Sequence, residues 1–290
     1  MSKVLMQSKV GLVPLNWHYE PSKMQAFLDG ISGYGFRGIQ ISGDQAESIE
    51  FLNAMSARDI APAEQYVAIR CDQDGPLPGS DTESMTTIRQ AIAANVEMLV
   101  FAVDGTDERD RYAGRADSGP QMSMNGFMRL AAHVEEFARM AAEHGIRSSF
   151  HPHAATYVET ESETRTLFAA MDSSLVGLCL DVGHWIVGGS DPIKAISDYR
   201  DRITHVHVKD VNGSVLQDLV SGSIETMNTA VEEFKLFVPA GTGLLNLREL
   251  FLALESVSFR GWLMSEQDSA WEPSEAASGI SIANITAALA

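Results

Sequence analysis

Five of the eight histidines fall in three short motifs, each beside a residue that can bind a cation or move a proton. The motifs are His151-Pro152-His153, Asp181-Val182-Gly183-His184 and His205-Val206-His207-Val208-Lys209-Asp210. A fourth run, Trp262 to Asp268, carries Glu266. Imidazoles and carboxylates from neighbouring strands can converge on one divalent cation, and histidine titrates near enough to neutrality to act as acid or base. Such an N/O site suits Mn²⁺ or Co²⁺, with Zn²⁺, Fe²⁺ or Mg²⁺ as alternatives, better than Ca²⁺. Taken singly each motif is weak: an Asp can cap a helix, and a Gly can make a turn. Together, at the ends of successive apolar runs, they point to a metal site. His133 and His144 lie within a long helical run and read as structural or surface residues.

The elements that must position these motifs alternate. Apolar or β-branched runs at Lys9–Leu15, Gly38–Ile41, Ala61–Ile69, Met98–Val103, Arg147–Phe150, Val176–Leu180, Ile203–Val208 and Trp262–Ser265 read as strands. Helical patterns fill the gaps at Lys23–Ser32, Ser48–Arg58, Glu83–Ala94, Met122–His144, Glu161–Met171, Pro192–Tyr199, Asn246–Leu254 and Glu272–Leu289. Strand-then-helix units demand parallel pairing with crossovers. Eight of them without a Gly/Ser-rich linker predict a single (β/α)8 TIM barrel over residues 1–290. An open doubly wound sheet is the competing arrangement, but no G-x-G-x-x-G turn follows the first strand. In the barrel, all four motifs sit at the C-terminal mouth, and alternation puts His205, His207 and Lys209 on one face of their strand.

Two segments interrupt the rhythm, 104–120 and 211–243; both follow strands, so at least one is expected to serve as a lid or mouth wall. Asn16 and Trp17 follow the first strand and read either as a substrate hydrogen bond and an apolar wall or as turn and packing. Glu64 and Gln65 interrupt the apolar third strand, with the exposed reading preferred. Asp104 reads as a cap, Arg111 and Arg115 as surface pairing partners, Gly241 and Gly243 as turn formers, and Cys179 as inert packing.

Composition narrows the class. The chain has 290 residues, 45% of them hydrophobic and 21% charged, so a full core is available. The formal net charge of −18 opposes binding to nucleic acid or to an anionic membrane surface. No apolar run approaches the ~18 residues that span a bilayer. The opening MSKVLMQSKVG carries no long apolar stretch of an export signal, and two cysteines make no disulfide framework. A cytoplasmic protein, with homo-oligomers possible, is the expectation.

The combination of DVGH, HVHVKD and a strand-eight Glu resembles the xylose isomerase-like barrel superfamily of sugar isomerases, epimerases and lyases. GLVPLNW, FHPHAATYVET, VPAGTGLLNLRELFLAL and GWLMSEQD resemble its inosose dehydratase branch, although HYEP follows Trp17 where that branch has another polar pair. The resemblance implies a metal held by Glu, Asp, His and Glu on strands five to eight. Asp181, His207 and Glu266 match the last three; His151 stands where the first Glu belongs, with His153 beside it and Glu159 further on. The superfamily's epimerases use paired glutamates as a proton shuttle, so the exchange points to a lyase. The expected substrate is a small polyhydroxylated ketone, a keto-inositol or keto-sugar, undergoing β-elimination. His151, His153, His184 and Lys209 are the candidate catalytic groups, and His151 or His153 is the fourth metal ligand. The alternatives are a metal-dependent isomerase or epimerase and a non-catalytic barrel subunit.

Overall fold

The computed structural model describes residues 9–271 and 273–290. Residues 1–8, most of the opening read for an export signal, and Glu272, expected to open the last helix, lie outside the described residues. Eight parallel strands close on themselves: β1 (Val10–Val13), β2 (Gly38–Gln40), β3 (Ala61–Ile69), β4 (Met98–Val103), β5 (Arg147–Phe150), β6 (Val176–Asp181), β7 (Ile203–Val208) and β8 (Leu263–Glu266). β8 pairs back onto β1, with Val13 opposite Glu266. Helices α1 (Met24–Tyr34), α2 (Ile49–Ser56), α3 (Ser80–Ala94), α4 (Met124–Glu143), α5 (Glu161–Ala169), α6 (Pro192–Asp198), α7 (Leu247–Ser256) and α8 (Ser274–Leu289) form the outer layer. The expected barrel is the observed one.

The helices begin where caps allow. Thr160 and Glu163 form a reciprocal capping box for α5, and Ser123 accepts the Gly126 N–H at the start of α4. Along α4, Phe127, Leu130, Ala131, Val134, Phe137, Ala138 and Ala141 recur at helical spacing and are buried against the barrel. The single helix expected over Ser48–Arg58 is preceded by a separate turn, Gly43–Glu47, because Ser42 and Ser48 each cap a start of their own. A further helix, Val182–Val187, follows β6 directly because Asp181 caps it.

Most of the apolar core lies between barrel and helices. The barrel's lower interior is plugged by Trp262, Met264, Val13 and Ala63. Gly38 is needed there: a Cβ on it would lie 2.6 Å from the Trp262 ring and 2.8 Å from Ala63. Above the plug the interior turns polar on the β5–β8 side. Among the described residues no helix is long and apolar enough to cross a membrane.

Candidate metal centre

The strand ends of β5 to β8 bring His151, Asp181, His207 and Glu266 together, all buried, with one ligand atom from each within 4.8 Å of the others. Asp181 divides its oxygens. Oδ1 accepts the His184 N–H at 2.8 Å as the helix cap, which leaves Oδ2 aimed into the group. His151 Nε2 and His207 Nδ1 lie 3.4 and 3.7 Å from that oxygen, and His207 Nδ1 lies 2.6 Å from Glu266 Oε2. Yet Asp181 Oδ2, His207 Nδ1 and Glu266 Oε2 are buried without a hydrogen-bond partner. Buried carboxylate and imidazole atoms crowded together without hydrogen-bond partners are costly alone and fit a shared cation. The donor set of two imidazoles and two carboxylates suits a divalent first-row metal. His151 and not His153 completes this group.

A second layer orients the ligands. Glu64 is fully buried inside the barrel; its Oε2 accepts from His207 Nε2 at 3.0 Å and is also bonded to His205 Nε2. The preferred reading of Glu64 as exposed is therefore corrected. Burial alone would push its carboxyl up, but the imidazoles of His207 and His205 hold it well below the usual carboxylate range. With its Nε2 bonded to Glu64, His207 turns Nδ1 toward the group, where it would serve a cation as a ligand. Cys179 lies inside the barrel under this layer, its thiol pushed up to about 12 chiefly by burial.

Beside the first group stands another. His153, His184 and Asp268 also bring ligand atoms within 4.8 Å of one another. The rings of His153 and His184 stack with centroids 3.6 Å apart. His153 Nδ1 lies 2.7 Å from the Ala154 carbonyl; an acceptor there requires Nδ1–H, so Nε2 is the free lone pair. Lys209 Nζ lies between the groups, 2.8 Å from His184 Nε2 and from Asp268, and 3.3 Å from Asp181 Oδ2 and Glu266 Oε1. Burial disfavours the ammonium, but Asp181, Asp268 and Glu266 hold it charged, above the ordinary lysine range. Asp268 was not singled out from the sequence, although it stands two residues beyond Glu266, the period that places both on one face. Tyr66 was missed as well: its ring faces His151 at 6.3 Å, and burial, with Glu266 and Asp104 nearby, keeps its phenol protonated.

Asn16 and Trp17 part company. Asn16 Nδ2 donates to the carbonyls of Gln267 and Asp268 at 2.6 and 3.1 Å and so ties β1 to the end of β8. Trp17 turns outward among Phe27 and Tyr34, its indole N–H donating to Ser278 Oγ at 2.9 Å. The structure does not bring it to the site, so its reading as an apolar substrate wall gives way to packing. His133 is held by Ser84 and Asp81 on the helical layer.

The two long segments meet above the β5–β8 side. Segment 211–243 folds into helices Gly213–Ser221 and Met227–Glu232 with an apolar cluster that includes Ala113, Ala154 and Val187. It presses Phe237 against His184, at 5.1 Å, and against the Lys209 ammonium, at 4.9 Å. Asp210 accepts the N–H groups of Gly241, Gly243 and Leu245 and fixes the turn that closes the segment. Segment 104–120 is clamped by the buried Arg109–Glu163 pair at 3.0 Å, by the Gly114 N–H on Glu159 Oε1 at 2.7 Å and by the Asn228 N–H on Asp110 Oδ1 at 2.9 Å. Arg115, expected to pair at the surface, donates instead to the carbonyls of Arg111 and Glu225.

Comparison with known proteins agrees with this architecture. The family model described as xylose isomerase-like TIM barrel matches residues 29–286. An inosose dehydratase of Clostridium beijerinckii is 33% identical over 277 residues, covering 90% of this chain and 91% of that protein. An inosose dehydratase of Lactiplantibacillus plantarum is 25% identical over 95% of this chain and 93% of that protein. The crystal structure of a 3-keto-D-glucoside 4-epimerase from E. coli superposes with a TM-score of 0.73 at 16% identity, covering 97% of this chain and 99% of that one, which shows a shared fold. The chain belongs to the xylose isomerase-like TIM barrel family, and its buried ligand group is that of a metal-dependent enzyme.

Proposed function

We propose that this metal-dependent enzyme is a lyase that eliminates water from a keto-inositol, with Mn²⁺ or Co²⁺ on His151, Asp181, His207 and Glu266. The observation that carries the reading is the make-up of the group: it holds a single glutamate, with an imidazole at the β5 position. A symmetric pair of glutamates, able to remove a proton on one face and return it on the other, is missing. The relatives named inosose dehydratase, one of them 33% identical over 90% of this chain, support the same reading.

When bound, the cation supplies Lewis acidity toward the carbonyl and neighbouring hydroxyl oxygens of the substrate. The chain's own groups do the rest. His153 Nε2, unprotonated and half-buried at the mouth, takes the proton α to the ketone. The Lys209 ammonium, in contact with His184, is the proton source for the departing β-oxygen. Tyr66, protonated and facing the group, donates a hydrogen bond to the substrate. Phe237 and the joined mouth segments exclude water on the β6–β7 side.

The test is mass spectrometry of a keto-inositol incubated in deuterated water with added Mn²⁺ or Co²⁺. The expected product is lighter by one water. A mass-neutral product carrying solvent deuterium would make the enzyme an epimerase or isomerase instead.

A further inference from the structure

Above the Glu64–His205–His207 set inside the barrel, the mouth of the centre contains two sets of ligand atoms, and a lysine reaches the space between them. His153, His184 and Asp268 are spaced for a divalent ion in their own right. Lys209 Nζ makes its two shortest contacts, both 2.8 Å, to members of that set, His184 and Asp268, and its longer ones, 3.3 Å, to ligands of the first. The ammonium thus has the neighbours that a second cation would have: two carboxylates of the first set and an imidazole and a carboxylate of the second. The fold makes room for it. A Cβ on Gly183 would lie 2.7 Å from Lys209 Cγ and 2.9 Å from its Cβ, so the glycine of Asp181-Val182-Gly183-His184 is the seat of the lysine stem. Phe237 lies over the ammonium and closes the outer side.

We propose that Lys209 is a built-in cation filling a second metal position formed by His153, His184 and Asp268, so that the enzyme takes one divalent ion and would take two without the lysine. The proposal rests on the reading of the first group as a metal site. A monovalent charge on a tether differs from a free divalent ion in two ways: it cannot dissociate, and it carries a transferable proton. That combination keeps a proton donor beside the metal in place of a second Lewis acid.

The experiment counts metal in the full-length protein. Wild type and variants are dialysed to equilibrium against Mn²⁺ and measured by elemental mass spectrometry, with Mn²⁺ electron paramagnetic resonance to separate isolated from coupled ions. Wild type is expected to hold one isolated ion, and Lys209→Ala two, with a coupled spectrum. Lys209→Ala combined with Asp268→Ala is expected to return to one. Asp268→Asn alone keeps the lysine; it should stay at one ion and bind it about tenfold more weakly, because it strips a counter-charge from an ammonium beside two first-set ligands. Two ions in wild type, one ion in a folded Lys209→Ala, or unchanged affinity in Asp268→Asn would each overturn the proposal. If Lys209→Ala does not fold, wild type and Asp268→Asn still decide it. A wild type that binds no ion at all would instead undo the metal site itself.

Discussion

The two halves of the barrel are built differently. β5 to β8 end in His151, Asp181, Lys209, Glu266 and Asp268, groups that crowd one side of the mouth. β1 to β4 line their side with Val13, Ala63, Met98 and Val100 and contribute two polar groups to the centre, Glu64 and Tyr66. Stability and chemistry are therefore partly separable. In the quiet half a side chain is judged by how it packs. In the charged half each group is judged by whether its neighbours satisfy it, and Asp181 Oδ2, His207 Nδ1 and Glu266 Oε2 are among the atoms there left for something else to satisfy. The mouth segments follow the same division, gathering over β5 to β8, where a low dielectric strengthens every charge interaction.

The largest effect should come from the charged half. His207→Ala is expected to lose bound metal and to lower kcat/KM by roughly a thousandfold or more, since Lewis-acid stabilisation is worth several kcal/mol. Retention of full metal occupancy would remove His207 from the ligand set. Glu64 sharpens the comparison, because it is a carboxylate of the quiet half serving the other. Glu64→Ala should weaken metal binding roughly 10–100-fold and cost about 3 kcal/mol in denaturant unfolding, as two buried imidazoles lose their partner. If metal affinity is unchanged, Glu64 serves stability alone.

Glu159 ties the mouth to the barrel, and burial pushes its carboxyl up to about 7. A carboxyl raised on folding contributes stability that is fully present below about 4.5 and is lost as pH rises toward 7. That contribution is on the order of 3 kcal/mol, and Glu159→Gln should flatten the stability–pH curve across this interval. An unchanged slope would show that its backbone donors and Arg109 already keep the carboxylate charged. The smallest effect belongs to the quiet half. Trp17→Phe removes the bond to Ser278 and should cost about 1 kcal/mol of stability while leaving kcat/KM unchanged. A fall in kcat/KM would return Trp17 to the site.

Much of this was legible before any fold was known. Four of the eight strands, including Ala61–Ile69 and Ile203–Val208, have the expected bounds, because long apolar runs between helical patterns leave little choice. Asp181, His207 and Glu266 could be named as one group because the motifs resemble a family that holds its metal at these strand ends, and parallel topology puts successive strand ends on one rim. Glu64 could not. The pairing of β2 with β3 shifts register between Ile39 and Gln40, so Ala63 packs in the barrel plug and Glu64 beside it also points inward. The exposed reading needed a strand shorter than Ala61–Ile69; the strand runs its full length, and the bulge lets adjacent residues both face the interior. β7 does the same: its register shifts opposite Leu178 and Cys179, and both Thr204 and His205 face the interior.

What the sequence determined by itself was therefore the fold and the kinds of ligand, since both follow from local periodicity and residue type. The tertiary structure decided which atoms meet. It chose His151 over His153 for the first group, since one pleat moves a side chain several ångströms along the mouth. It turned Trp17 toward Ser278, and it set Lys209 between two ligand groups drawn from different strands. Those outcomes depend on strand stagger and on which neighbour fills each space, and no single segment of the chain encodes either.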